Sequence, residues 1–97
     1  MQRSEVIAKL SERAGPLQEA GIRALYLFGS VARDEAGLDS DVDLFVDPHD
    51  DRFGFVELIR TEAYLAQALG RRVDLTTREG LHPQLRAEIE REAIQVL

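Results

Sequence analysis

The sequence predicts an α/β (α+β) domain with a small mixed sheet flanked by helices, and three observations carry that prediction. Short apolar runs at Leu25 to Phe28, Val42 to Val46 and Val73 to Leu75 are of strand length. Between and around them lie stretches whose apolar residues recur at helical spacing. Strands alternating with helices, around a hairpin-like centre, give layers of helix on sheet. With 97 residues, the chain 1–97 reads as a single domain, long enough to bury about 65% of its unfolded surface.

Val6, Ile7, Leu10, Ala14 and Leu17 fall on one stripe, so a first amphipathic helix is expected over Ser4 to Leu17, broken at Gly15-Pro16 and resumed to Gly21. Its reading is core packing. Ile22 to Phe28 is the first strand, stopped by Gly29. Ser30 then caps a short helix to Glu35, where free backbone N–H groups favour an anion such as a phosphate. Ala36 to Ser40 is a loop. Asp47 to Asp51 closes the second strand with a turn whose acids suit the start of a following helix. That helix runs from about Arg52 to Leu69 with Phe55, Leu58, Ile59, Leu65, Ala66 and Leu69 as its apolar face, ended by Gly70, and Tyr64 sits at the core edge. Arg72 to Thr76 is a third strand and Thr76 to Gly80 a turn. Pro83 opens a final helix aligning Leu85, Ile89 and Ala93, and Gln95 to Leu97 is an extended tail.

Asp41-Val42-Asp43-Leu44-Phe45-Val46 alternates at period two, so Val42, Leu44 and Val46 face one side and Asp41 and Asp43 the other. Two carboxylates about 7 Å apart repel by roughly 2 to 3 kcal/mol at an effective dielectric of about 20. A divalent cation relieves this, and Mg²⁺ takes one or two carboxylates together with nucleotide phosphates. Asp74 lies opposite Val73 and Leu75 on the third strand; if that strand pairs beside the second, Asp74 joins the other two. Three converging carboxylates suffice for two metal ions clamping an in-line phosphoryl or nucleotidyl transfer.

Gly29-Ser30, a ten-residue connection, Asp41-Val42-Asp43 and the later Asp74 resemble the DNA polymerase β-type nucleotidyltransferase superfamily. More closely, Leu-Phe-Gly-Ser-Val-Ala-Arg followed by Ser-Asp-Val-Asp-Leu resembles the minimal nucleotidyltransferases, small proteins often paired with HEPN-domain toxins, and the likeness covers nearly the whole chain. Asp34 departs from the pattern where many relatives carry glycine, but Asp tolerates the left-handed conformation that glycine would supply. The resemblance implies a polymerase β-like fold. It places Asp41, Asp43 and Asp74 as metal ligands and catalytic acids holding two Mg²⁺, with Asp74 also accepting the proton of the incoming hydroxyl. Gly29 and Ser30 would grip the triphosphate of ATP, with Arg33 one turn beyond and Ser40 orienting Asp41. The acceptor expected by resemblance is a hydroxyl, tyrosine above all, on a cognate HEPN toxin, which makes the chain an adenylylating antitoxin. Two rivals stand beside this: a module that neutralises its partner by binding alone, and a transferase acting on small molecules, which lacks an acceptor-binding lobe here.

Other residues carry weaker signals. Arg33 reads equally as a solvated side chain, His49 beside Pro48 as an exposed loop residue, and Arg71 and Arg72 as balance for local acids. A net charge of −6 argues against a nucleic-acid backbone as principal partner. Zero cysteines exclude disulfides and thiolate metal sites. No apolar run approaches a membrane span and no leader pattern is present, so a cytoplasmic protein is expected.

Overall fold

The computed structural model describes residues 2–97. Two short helices, α1 (Arg3–Ser11) and α2 (Ala14–Glu19), lead into β1 (Ile22–Phe28), a one-turn α3 (Gly29–Ala32) and β2 (Val42–Pro48). There follow α4 (Phe55–Leu69), β3 (Val73–Thr77), a 3-10 turn (Arg78–Gly80), α5 (Arg86–Glu92) and β4 (Ile94–Gln95). The sheet order is β3-β2-β1-β4, with β2 and β3 parallel and the other pairs antiparallel. The expected mixed sheet with helices is therefore present.

Period-two alternation divides the sheet into two unlike faces. Leu25 and Leu27 of β1, Val42, Leu44 and Val46 of β2, and Val73 and Leu75 of β3 join Val6, Leu10, Leu17, Leu65 and Leu69 in the buried core. On the other face β2 presents Asp43, Phe45 and Asp47 in turn, opposite Phe28, Tyr26 and Ala24 of β1. Phe45 is fully buried there, stacked on Tyr26 at 4.7 Å between ring centroids and tilted against Phe28 at 5.8 Å.

Several boundaries, and the inward face of α4, differ from the sequence expectation; among them α3 ends at Ala32 and β2 runs on to Pro48. The break between α1 and α2 falls at Glu12 and Arg13, and Gly15-Pro16 lies inside the first turn of α2, where a missing N–H leaves no bond unmade. α4 starts three residues late because Gly54 is its extended cap, with its N–H donating to Glu57 Oε1 at 2.8 Å. Phe53 turns inward just before it and is buried under Gly21. The face of α4 that meets the sheet is also rotated: Leu58, Thr61, Leu65 and Leu69 face inward, the Thr61 hydroxyl donating to the Glu57 carbonyl at 2.8 Å, while Phe55 and Ile59 are 75% and 51% exposed. Pro83 belongs to a turn closed by the Leu85 N–H on the His82 carbonyl, so the last helix begins at Arg86 and Leu85 is exposed.

The C-terminal residues are extended as expected, and paired: β4 adds to β1, and the Val96 N–H donates to the Leu25 carbonyl at 2.8 Å. Asp34 has φ of 62°, the left-handed conformation anticipated for it. Among the described residues, no helix is long and apolar enough to cross a membrane.

Candidate active site

The parallel pairing of β2 and β3 sets Asp43 beside Asp74 in direct register, so both side chains leave the same face of adjacent strands. Asp41 precedes β2 and adds its charge nearby. Burial pushes the Asp43 carboxyl up to about 6, and the negative charges of Asp74 and then Asp41 push in the same direction. Burial and like charge act together here, opposed by the Arg33 guanidinium.

The acids do not close into a finished cage. Among the described residues, no three His, Cys, Asp or Glu side chains are arranged to hold a metal ion. Asp41 is instead paired with Arg72, whose Nε lies 3.0 Å from Asp41 Oδ1. Arg72 also donates to the Asp39 carbonyl, and Arg71 to the carbonyls of Gly37 and Ser40. The two arginines thus hold the loop before β2 and balance its acid.

Gly29 forms the bend at the end of β1, across from Asp43. Its φ is +76°, and a Cβ built there would fall on Asp43 Oδ2 and lie 3.1 Å from the Asp43 Cγ. Only glycine lets the backbone pass this close to the carboxylate. Gly29→Ala is accordingly expected to lose about 1 to 2 kcal/mol through the left-handed backbone alone, with a further steric loss on top. In an Asp43→Ala background the steric part should shrink to the remaining 3.3 Å contact with the residue-43 Cβ, which urea denaturation of the single and double variants measures.

The sequence-predicted nucleotide residues are brought together unequally. Gly29, Ser30 and Arg33 cluster around α3, where Ser30 is the second helical residue and not the expected cap, and the polar groups of Gly29 and Arg33 are already engaged. The Gly29 N–H donates to Glu92 Oε1 at 3.1 Å, and Arg33 NH1 donates to both oxygens of Glu92 at 3.3 and 3.1 Å, while Arg33 Nε reaches Glu35 at 3.3 Å. Ser40 turns from Asp41: its hydroxyl accepts from the Gly37 N–H at 2.9 Å and closes the preceding turn. His49 is exposed, away from the acids. Glu92 escaped the sequence reading because an acid in the last turn of an amphipathic helix looks like any solvated side chain.

Beside the acids a cleft of about 500 Å³ runs along the β3 edge, lined by Asp41, Asp74 and Arg72 and by Ile59, Ala63 and Ala66 of α4. The backbone N–H of Leu75 at that edge donates to Glu62 Oε2 at 2.9 Å, so α4 covers part of the open strand.

Strand acids in register, next to a glycine bend that admits a close anion, define a class: enzymes that transfer a nucleotidyl group. The chain belongs to the nucleotidyltransferase domain family, whose profile matches residues 4–96. It is 38% identical over 76 residues to protein adenylyltransferase MntA of Thermococcus cleftensis, covering 78% of this chain and 76% of that one. MJ0435 of Methanocaldococcus jannaschii, assigned as a protein adenylyltransferase, is 35% identical over 81 residues, 84% of this chain and 86% of the relative. Among solved structures, one assigned as a minimal nucleotidyltransferase superposes with a TM-score of 0.84 at 35% identity, covering 97% of this chain and 95% of the other. A Shewanella oneidensis MNT antitoxin, solved in complex with its tri-AMPylated HEPN toxin, shares the fold at a TM-score of 0.69 and 20% identity, covering 99% of this chain and 72% of the neighbouring one. The chain is thus a minimal nucleotidyltransferase.

Proposed function

We propose that this enzyme transfers AMP from ATP to a hydroxyl, a tyrosine above all, on a cognate HEPN toxin and thereby acts as its antitoxin. The relatives named protein adenylyltransferases and the likeness to an antitoxin solved with an AMPylated toxin support this reading. The observation that carries the chemistry is the in-register pair Asp43 and Asp74 against the Gly29 bend.

Hard oxygen donors suit Mg²⁺, and the unbalanced charge around Asp43 is what such an ion would neutralise. Asp41, Asp43 and Asp74 would hold it, two ions at full occupancy, once Asp41 is free of Arg72. The ion supplies positive charge for the triphosphate and the developing pyrophosphate. The chain's own part is positional. Gly29 and Ser30 receive the triphosphate. Asp74, on the exposed side of the acid pair, accepts the proton of the acceptor hydroxyl as its oxygen bonds to the α-phosphorus and the bond to pyrophosphate breaks. The cleft between α4 and β3 gives a protein acceptor a path to Asp74, with the exposed Phe55, Val56 and Ile59 at its approach.

Incubation of the protein with Mg²⁺, labelled ATP and the product of the neighbouring gene should label that product, on tyrosine by peptide mass. Stoichiometric inhibition of the partner without nucleotide and without label would instead establish a module that acts by binding alone.

A further inference from the structure

The contacts of Glu92 lead beyond this reading while resting on it. Its carboxylate makes three contacts with two donors, the Gly29 N–H and the Arg33 guanidinium, at 3.1 to 3.3 Å. No other described partner is recorded for it. It is the last residue of α5, and it arrives at the bend from 59 and 63 residues away in sequence, so the contact is tertiary and not a local cap. Asp43 lies near enough for the two carboxylates to repel each other. Only the two donors offset that repulsion, and they are the groups that a triphosphate tail entering at Gly29 would use. A carboxylate and a phosphate oxygen cannot share the single Gly29 N–H, and a phosphate reaching the Arg33 fork meets the Glu92 charge already on it.

We propose that Glu92 is an internal stand-in for a nucleotide phosphate: it takes the Gly29 amide and a face of Arg33 and competes with the triphosphate for them. It thereby sets nucleotide affinity. Glu92 holds Arg33 at the bend in the meantime, so the cation is pre-placed when the tail arrives. Gln at this position keeps an acceptor for the Gly29 N–H but loses the charge that grips Arg33 and repels phosphate.

The test is calorimetric titration of the full chain and of Glu92→Gln with Mg²⁺ and the non-hydrolysable AMP-PNP, with thermal melts of both. Glu92→Gln should bind about 3- to 10-fold more tightly, which is roughly 0.7 to 1.4 kcal/mol, with Tm within about 2 °C of the parent. Arg33→Ala in the parent should weaken binding. Unchanged or weaker binding by Glu92→Gln, beside measurable binding by the parent, overturns the stand-in role and leaves the nucleotide site intact. Loss of transfer with unchanged affinity makes Glu92 a catalytic group and overturns it as well. If neither protein binds the nucleotide, the reading of the site falls and this inference with it.

Discussion

Asp43→Asn should abolish nucleotidyl transfer and at the same time stabilise the metal-free protein. On the first count, altering groups that merely support a ligand costs 10- to 100-fold, so losing a ligand is expected to cost at least about a hundredfold in rate. On the second, burial and the acids at Asp74 and Asp41 raise the Asp43 carboxyl from 3.8 to about 6 in the folded chain. A raised carboxyl favours the fold only while protonated: its contribution is complete below about pH 4 and is lost as pH climbs through 6. Above that, the folded protein carries a charge it would rather not hold. Two pH units would be worth about 3 kcal/mol in full, but Asp43 is only half-buried and solvent screening reduces this to about 1 kcal/mol. The variant should therefore melt about 4 to 8 °C higher at pH 8 without metal, and the gap should close by pH 4. Parallel melts across that range, with and without Mg²⁺, measure it. A variant that keeps full activity would remove Asp43 from the site.

Arg78→Ala should be the most destabilising single change at a charged position. Arg78 Nε and NH2 each donate to one oxygen of Asp47 at 2.8 Å, and NH1 donates to Glu90 at 2.6 Å. Its guanidinium carbon lies 4.9 Å above both the Tyr26 and the Phe45 rings. Asp47 is 13% exposed, so truncation leaves a nearly buried carboxylate with only the distant Arg23 at 4.0 Å. Losing one partner of such a pair costs about 3 kcal/mol, or roughly 12 to 20 °C in Tm for a domain this size. Lysine should not rescue it, because an ammonium cannot repeat the forked contact or the flat stacking. Arg78 also holds Asp47 below the ordinary carboxylate range. Stability from that pair is present above the range and is lost as pH falls through the depressed value, so the parent's acid limb should flatten in Arg78→Ala. Urea titrations between pH 3 and 8 read out both effects.

The contrast between these residues explains how much was legible in the sequence. Asp43 and Asp74 were visible because strand alternation is a one-dimensional rule, and the pairing of β2 with β3 was the only further step needed. The bend at Gly29 was visible because glycine after an apolar run has few other uses. Arg78 and Glu92 were hidden, since each acts through partners 12 to 63 residues distant and no local pattern distinguishes them from solvated charges. Phe53 and the rotated face of α4 were hidden for a related reason. The sequence stripe through Phe55 and Ile59 is as apolar as the true one, and the cap at Gly54 decides which side meets the sheet.

Phe45 stands between Asp43 and Asp47 on one strand, fully buried under Tyr26, Phe28 and Arg78. It acts as a spacer: Asp43 lies at one end of β2 and the Asp47–Arg78–Glu90 fastening of the C-terminal segment at the other, with the Phe45 ring between them and the Arg78 guanidinium laid over it. Heat tolerance should therefore be tunable through substitutions at the Asp47 end that leave the Asp43 carboxylate and the Gly29 bend untouched.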